Sequence, residues 1–213
     1  MQFTTIFFDL DDTLYPASTG LWHAIKERMN VYMRDRMGFD QEDIPRLREK
    51  YFKEYGTTLR GLQANHTMDV EDYLAFVHDL PLQDYLAPDP ALRPVLASLP
   101  VRRLIFTNAD ASHARRVLHA LDLDGLFDAI VDVNTVSPYC KPMPESFGIA
   151  MQAAGESDPA RCVMIDDLPR TTQAARQYGM YGVLAHHSEP SPDADAFFSD
   201  WRELPALLDG RLS

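Results

Sequence analysis

The stretch that most constrains this chain is Ile6-Phe7-Phe8-Asp9-Leu10-Asp11-Asp12-Thr13-Leu14. Apolar residues with strong strand preference run straight into a cluster of carboxylates. Such a run reads as a buried strand that stops at a polar sheet edge. Residues two apart along a strand share a face. Asp9 and Asp11 can therefore open on one small volume while Leu10 turns back into the core. Two carboxylates that close repel, and one takes up a proton unless a cation lies between them. Hard oxygen donors with room for water suit Mg²⁺. One Asp then serves as nucleophile and its neighbour as proton shuttle. A solvated acidic turn after a strand would look the same from this segment alone.

The next seventy or so residues read as helical. Ser18 and Thr19 are natural helix caps, and Leu21, Trp22, Ile25, Met29, Tyr32, Met33 and Met37 recur at helical spacing until Gly38. A second amphipathic run covers roughly 42–55 and leads into Tyr55–Leu62, which carries two glycines and Arg60. Asp69 caps a third helix through Tyr73, Leu74, Phe76, Val77 and Leu80. No strand is expected between 16 and 87. The segment 81–100, with Pro81, Pro88, Pro90, Pro94 and Pro100, reads as a stiff hinge back to a second unit.

Beyond it, strands alternate with helices. Strands are expected at 102–108, 129–131, 162–167 and 181–185. Helices are expected after the Asp110 cap, over 145–154 between Pro144 and Gly155, over 171–178 before Gly179, and at 201–208. The polar run 188–195 reads as loop. This order predicts an α/β fold, a Rossmann-like, doubly wound parallel sheet, with a small all-helical cap inserted after the first strand. The expected domains are a catalytic core of 1–15 and 88–213 and a cap of 16–87.

The totals bound the function. A chain of 213 residues with 46% apolar content can bury a sizeable core. Its formal charge of -12 argues against nucleic-acid polymers and anionic membranes as partners. An anionic small substrate then needs a metal or a local Lys or Arg to invert the field. Cys140 and Cys162 lack any Cys-x-x-Cys spacing and read as reduced thiols of a cytoplasmic protein, Cys140 inert. Nothing reads as a secretory leader or a membrane span.

Four polar stretches fall at or just beyond the C-terminal ends of expected parallel strands, Lys141 in the loop after Ile130-Val131; that edge is where open α/β sheets bind ligands. They are Asp9 and Asp11, Thr107 and Asn108, Lys141, and Asp166 with Asp167. As chemistry they make a metal and phosphate site. Carboxylates hold Mg²⁺, the Thr107 hydroxyl and nearby N–H groups hold phosphoryl oxygens, and Lys141 neutralises the remaining charge.

In that order, Asp-x-Asp-x-Thr at 9–13, Thr107-Asn108, Lys141-Pro142 and Ile165-Asp166-Asp167 resemble the haloacid dehalogenase superfamily, in its phosphatase branch. The dehalogenase branch lacks the second aspartate. The resemblance implies that Asp9 attacks phosphorus and Asp11 protonates the leaving group, then activates water. It implies Mg²⁺ on the Asp9 carboxylate, the Asp11 carbonyl and Asp166, supported by Asp167. Further stretches resemble the pyrimidine 5′-nucleotidase group: Phe7–Tyr15, Ser18-Thr19-Gly20, Tyr55–Leu62, Leu80–Asp84, His113-Ala114, Cys140-Lys141-Pro142 and Trp201–Pro205. That implies UMP or CMP as substrate; separately, a monomer or weak homodimer is expected. Tyr15, Ser18, Thr19, Tyr55 and Arg60 are candidate substrate contacts. His113 is another, although a structural hydrogen bond is the plainer reading. His66, His186 and His187 read as surface residues. Asp167-Leu168-Pro169-Arg170 departs from the serine-containing turn of relatives and puts hydrogen bonds around the metal site in question. Rival readings are a phosphatase for phosphoglycolate or a sugar phosphate, and a non-enzymatic nucleotide-binding module.

Overall fold

The computed structural model describes residues 2–212. Among these, strands β1 (Thr5–Phe8), β2 (Arg102–Phe106), β3 (Ala129–Val131), β4 (Cys162–Asp166), β5 (Tyr181–Ala185) and β6 (Ala196–Phe198) form one parallel sheet. Its order is β3-β2-β1-β4-β5-β6. The two central strands that flank the site, β1 and β4, are buried at every position. That is why they read as continuous apolar runs rather than alternating ones. Their side chains nonetheless divide by face. Ile6, Phe8, Ile105, Val163 and Ile165 enter one apolar cluster, and Phe7, Leu104, Phe106 and Met164 enter the other.

After β1 the chain forms an insertion of α-helices: α1 (Leu21–Asp35), α2 (Ile44–Tyr55), α3 (Thr58–Asn65) and α4 (Val70–His78). They have their own apolar centre, built around Tyr32, Met33, Tyr51, Leu62, Tyr73 and Val77. The return to β2 carries α5 (Leu92–Ser98), and α6 (Ala111–Ala120), α7 (Pro144–Ala154), α8 (Pro169–Tyr178) and α9 (Leu204–Leu207) come after it. The doubly wound core with a helical cap after the first strand is thus present. Among the described residues, no helix is long and apolar enough to cross a membrane.

Three elements differ from expectation. Helix α3 occupies what read as a glycine-marked connection. Its signal is Thr57, whose hydroxyl accepts from the Arg60 N–H at 3.1 Å and caps the helix. Helix α5 lies inside the segment expected to be a hinge. Pro94 is its third residue, where the missing N–H would have had no helical partner. Strand β6 falls after the polar run and is three residues long, too short for a periodic signal.

Gly61 explains how α2 and α3 pack so closely. A β-carbon there would fall 2.2 Å from Cβ and Cγ of Tyr51, a side chain in the centre of the helical insertion. Gly61→Ala is therefore expected to cost about 1–3 kcal/mol through overpacking. A denaturant midpoint indistinguishable from wild type would contradict that packing.

The insertion is fastened to the core through arginines that donate to carbonyls. Arg60, 5% exposed, donates from Nε and Nη2 to Tyr139 O, from Nη2 to Val133 O, and from Nη1 to Gln63 Oε1. Arg116 of α6 donates to His78 O and Leu80 O. Arg170 of α8 donates to Phe52 O and Gly56 O and lies 3.4 Å over the Phe52 ring. Several of these carbonyls sit near helix ends, where backbone acceptors lack helical partners.

Candidate active site

The strand ends converge as the sheet-edge rule requires. Lys141 Nζ donates at 2.7 Å to Asp9 Oδ1 and at 2.7 Å to Asp166 Oδ2, so one ammonium ties the first strand's end to the fourth's. All three side chains are buried. Asn108 sets the Lys141 backbone. Its Nδ2 donates to Lys141 O at 3.0 Å, and its Oδ1 accepts from Lys141 N–H at 2.9 Å. Thr107 Oγ1 accepts from the Ala109 N–H at 3.0 Å, which turns the chain just past β2.

On the other side of Asp9, the Thr13 hydroxyl lies 3.2 Å from Asp9 Oδ2 and 3.0 Å from Asp167 Oδ1, and accepts the Asp167 N–H. A hydroxyl has one proton, so it serves one carboxylate at a time. Carboxylate oxygens of Asp9, Asp166 and Asp167 all lie within 4.8 Å of one another. Three carboxylates facing one ammonium leave an excess of two negative charges. The electrostatics record this. Burial, foremost, with Asp166 and Asp167 holds the Asp9 carboxyl well above its ordinary value, and Lys141 only partly offsets them. Asp167 is pushed up to about 7, mainly by burial and then by Asp166. Burial disfavours the Lys141 charge, but Asp166 and Asp9 outweigh it and hold the lysine above its ordinary value. An all-oxygen cluster short of positive charge fits a hard divalent cation.

Asp11 stands apart from that cluster. Tyr15 Oη lies 2.6 Å and His113 Nε2 2.9 Å from its Oδ1. Burial opposes ionisation of Asp11, but His113 and the Tyr15 hydroxyl outweigh it and hold the carboxyl below its ordinary value. Asp12 adopts a left-handed backbone (φ 60°) and is raised to about 6, chiefly by burial and then by Asp11.

A cleft of about 480 Å³ opens over these groups. Asp9, Asp11, Thr107, Asn108, Lys141, Asp166 and Asp167 line its floor, and Trp22, Met29, Phe52, Leu59 and Tyr73 line the wall supplied by the insertion. The other expected contacts lie elsewhere. Tyr15 is 2% exposed and spends its hydroxyl on Asp11. Ser18 is exposed, and Thr19 Oγ1 accepts from the Leu21 N–H. The Tyr55 ring packs edge-on against Tyr51, and its carbonyl accepts from the Cys140 thiol. Arg60 is committed to the carbonyls of Val133 and Tyr139, so it is a fastener and not a free phosphate clamp. His113 makes a structural hydrogen bond, and its partner is Asp11, the expected acid.

Histidines read as surface residues are half-buried instead. His66 pairs with the Tyr51 hydroxyl. His186 lies 2.8 Å from Thr13 O and His187 3.1 Å from Asp167 O, so both brace the carboxylate loops. The departure at 168–170 keeps a hydrogen bond on Asp166, because the Leu168 N–H donates to its Oδ1 at 2.9 Å. Burial pushes the Cys140 thiol up, which keeps it protonated and unreactive. His78, Arg48 and Tyr73 gave no sequence signal beyond helical periodicity, yet all three line the cleft.

Known proteins share both sequence and fold. Phosphate metabolism protein 8 of Saccharomyces cerevisiae is 36% identical over 192 residues, covering 84% of this chain and 60% of the yeast protein. The chain thus spans three-fifths of that relative's length. Phosphoglycolate phosphatase of Caulobacter vibrioides is 28% identical over 191 residues, covering 84% of this chain and 78% of its own. In fold, the HAD phosphatase of Thermococcus onnurineus superposes with a TM-score of 0.67 at 18% identity, over 99% of this chain and all of that one. A family profile matches residues 3–179, which takes in every carboxylate of the cleft floor and Lys141: the chain belongs to the haloacid dehalogenase-like hydrolases.

Proposed function

We propose that this protein hydrolyses phosphomonoesters through Asp9, with residues 16–87 as a cap over a catalytic core of 1–15 and 88–213. The observation that carries the reading is Lys141 bridging Asp9 and Asp166 beside a third carboxylate, at the floor of a cleft. The Asp9 and Asp166 carboxylates and the Asp11 carbonyl would hold Mg²⁺, with Asp167 in support. Bound there, the cation would supply positive charge that favours an ionised Asp9 and attracts phosphoryl oxygens. An Asp9 carboxylate oxygen attacks phosphorus as the ester P–O bond breaks. Asp11 gives its proton to the departing alkoxide and later takes one from the water that attacks the aspartyl-phosphate. A phosphate dianion arriving beside Asp11 raises its carboxyl and lets it carry that proton. Thr107, Asn108 and Lys141 hold the phosphoryl group, and most of the rate enhancement is positioning and charge stabilisation.

The substrate we favour is a pyrimidine nucleoside 5′-monophosphate. The cap wall offers flat and apolar surface from Trp22, Phe52 and Leu59, suited to a heterocycle. It also holds two buried polar atoms without partners, Tyr73 Oη and Arg48 Nε, which suit the edge of a base. The bacterial relative named as a phosphoglycolate phosphatase supports a second reading, a small carboxylated phosphate. Phosphate release across UMP, CMP, AMP, phosphoglycolate and sugar phosphates separates the two. UMP and CMP are expected to lead. A preference for phosphoglycolate would replace the nucleotide reading, and turnover of none would remove the phosphatase.

The carboxylate cluster also sets a dependence on pH. Asp167, at about 7 against an ordinary 3.8, holds a proton in the folded state that the unfolded chain has released. Its stabilising contribution is complete below about 4 and is lost as pH rises through about 7. Asp9 and Asp12 act in the same direction, and His78, lowered by burial and then by His113, acts in the opposite one. Mg²⁺ removes the repulsion among ionised carboxylates, so the rise in Tm on adding it is expected to be larger at pH 8 than at pH 5. Equal shifts at both would contradict cation binding by these groups.

A further inference from the structure

Both donors to Asp11 converge on one of its oxygens. Tyr15 Oη and His113 Nε2 lie 2.6 and 2.9 Å from Oδ1. Burial, then the neighbouring Asp11, keep the Tyr15 phenol protonated, so its hydroxyl donates. The His113 tautomer is set by what surrounds the ring. Its Nδ1 is buried and has no partner. A proton there would be a buried, unsatisfied N–H, and would leave the Nε2 lone pair facing a carboxylate. With the proton on Nε2, the ring donates to Asp11 and leaves only an empty acceptor behind it.

The His113 ring is itself held. Asp110 Oδ1 accepts the backbone N–H groups of Ser112 and His113 at the start of α6. Asp110 Oδ2 lies 2.6 Å from His78 Nδ1. The His78 ring, from the last residue of α4, stacks on His113 with centroids 4.1 Å apart and planes 17° apart. His78 is 6% exposed and His113 1%. One histidine belongs to the cap and the other to the core, and His78 also lines the cleft. The stack therefore exists only while the cap is seated.

We propose that Tyr15 and His113 are positioning residues that commit Asp11 Oδ1 to the protein, leaving Oδ2 as the atom that passes the proton, with His78 of the cap holding His113 in place. The inference rests on Asp11 being the acid of the proposed phosphatase. A carboxyl free to rotate presents its proton to the leaving group only part of the time. One anchored at Oδ1 offers the other oxygen continuously, and such orientation lowers barriers to proton transfer. In the step concerned, the P–O ester bond breaks, the Oδ2 proton moves to the departing alkoxide oxygen, and Asp11 is left ionised.

The test compares leaving groups. p-Nitrophenolate departs without a proton, whereas the 5′-alkoxide of a nucleoside needs one. The ratio kcat/KM is the measure, since it stops at the first irreversible step, transfer to Asp9. Tyr15→Phe, His113→Ala, His113→Gln and His78→Ala are assayed in Mg²⁺ on UMP and p-nitrophenyl phosphate, with urea midpoints to establish folding. Tyr15→Phe removes a single oxygen and keeps the comparison possible if a His113 variant does not fold.

For Tyr15→Phe and His113→Ala, the loss on UMP is expected to exceed the loss on p-nitrophenyl phosphate by about 10-fold or more, within the range of general acid catalysis. His113→Gln, whose amide can donate, recovers part of it, and His78→Ala shows a smaller loss of the same kind. Equal losses on both esters, or no loss on either, overturn the positioning role and leave the phosphatase intact. Wild type inactive on both UMP and p-nitrophenyl phosphate, and on glycerol phosphate as a plain alkyl ester, overturns the phosphatase reading and this inference with it. Activity on glycerol phosphate but not UMP removes only the nucleotide, and the comparison is then made with glycerol phosphate.

Discussion

Asp9→Asn is expected to abolish phosphate release, by at least about 10⁴-fold, while the protein folds as well as wild type or better. The two halves of that result have one origin. An amide cannot form the acyl-phosphate, so the chemistry stops. The same amide fits the hydrogen bonds present: its oxygen can accept from Lys141 Nζ, and its NH₂ can donate to Thr13 Oγ1. It also removes a buried carboxylate that Asp166 and Asp167 repel. The metal-free variant is therefore expected to unfold at a urea concentration equal to or above that of wild type at pH 8. Phosphate release within tenfold of wild type would remove Asp9 as the nucleophile. A large drop in the urea midpoint would instead show that the carboxylate holds the loops together.

Lys141→Met has the opposite effect on stability. Its ammonium bridges Asp9 and Asp166, and its side chain is 3% exposed. Truncation to an apolar chain of similar length leaves both carboxylates buried and facing each other. Breaking a buried ion pair from one side costs about 3–5 kcal/mol. The metal-free variant is expected to lose that much at neutral pH, and less as acid protonates Asp9 and Asp167. Activity is expected to fall by at least about 10²-fold, since the phosphoryl oxygens lose a fixed positive charge. An unchanged urea midpoint at pH 7 would mean that the carboxylates are neutralised by other means. Full activity would mean that Lys141 serves only the fold.

The sequence exposed what burial and periodicity write into it. The strands at 5–8 and 162–166 are buried throughout, that at 102–106 is buried and apolar from Leu104 onward, and polar residues mark where each ends; the caps at Asp69 and Asp110 are side chains with one obvious use. Helices α3 and α5 were obscured because Gly61 and Pro94 each carry a second meaning. Gly61 admits Tyr51, and Pro94 sits where a helix has no hydrogen bond to lose. The floor of the site was legible because most of its polar and charged groups stand at or just past the ends of β1, β2 and β4, with Lys141 in the loop that follows β3. The wall was not. Whether Arg60 meets a phosphate or two backbone carbonyls is decided by partners far away in the chain, at Val133 and Tyr139. Tyr15 and His113 were marked by their proximity to motifs, but their shared target, Asp11 Oδ1, is a property of the folded chain alone. The brace formed by His186 and His187 behind Thr13 and Asp167 has no local signal at all.

That Asp9 carries the phosphoryl group is the central claim, and it can be seen directly by mass. In Asp11→Asn, p-nitrophenyl phosphate can still phosphorylate Asp9 because its leaving group needs no acid, while the base that clears the intermediate is missing. Acid quenching of that variant in Mg²⁺, then peptide mass spectrometry, is expected to find one added phosphoryl group on the peptide containing Asp9, absent when Asp9 is also replaced by Asn and lost on treatment with hydroxylamine. p-Nitrophenol released with every Asp9 peptide unmodified, or the label on another residue, would contradict it.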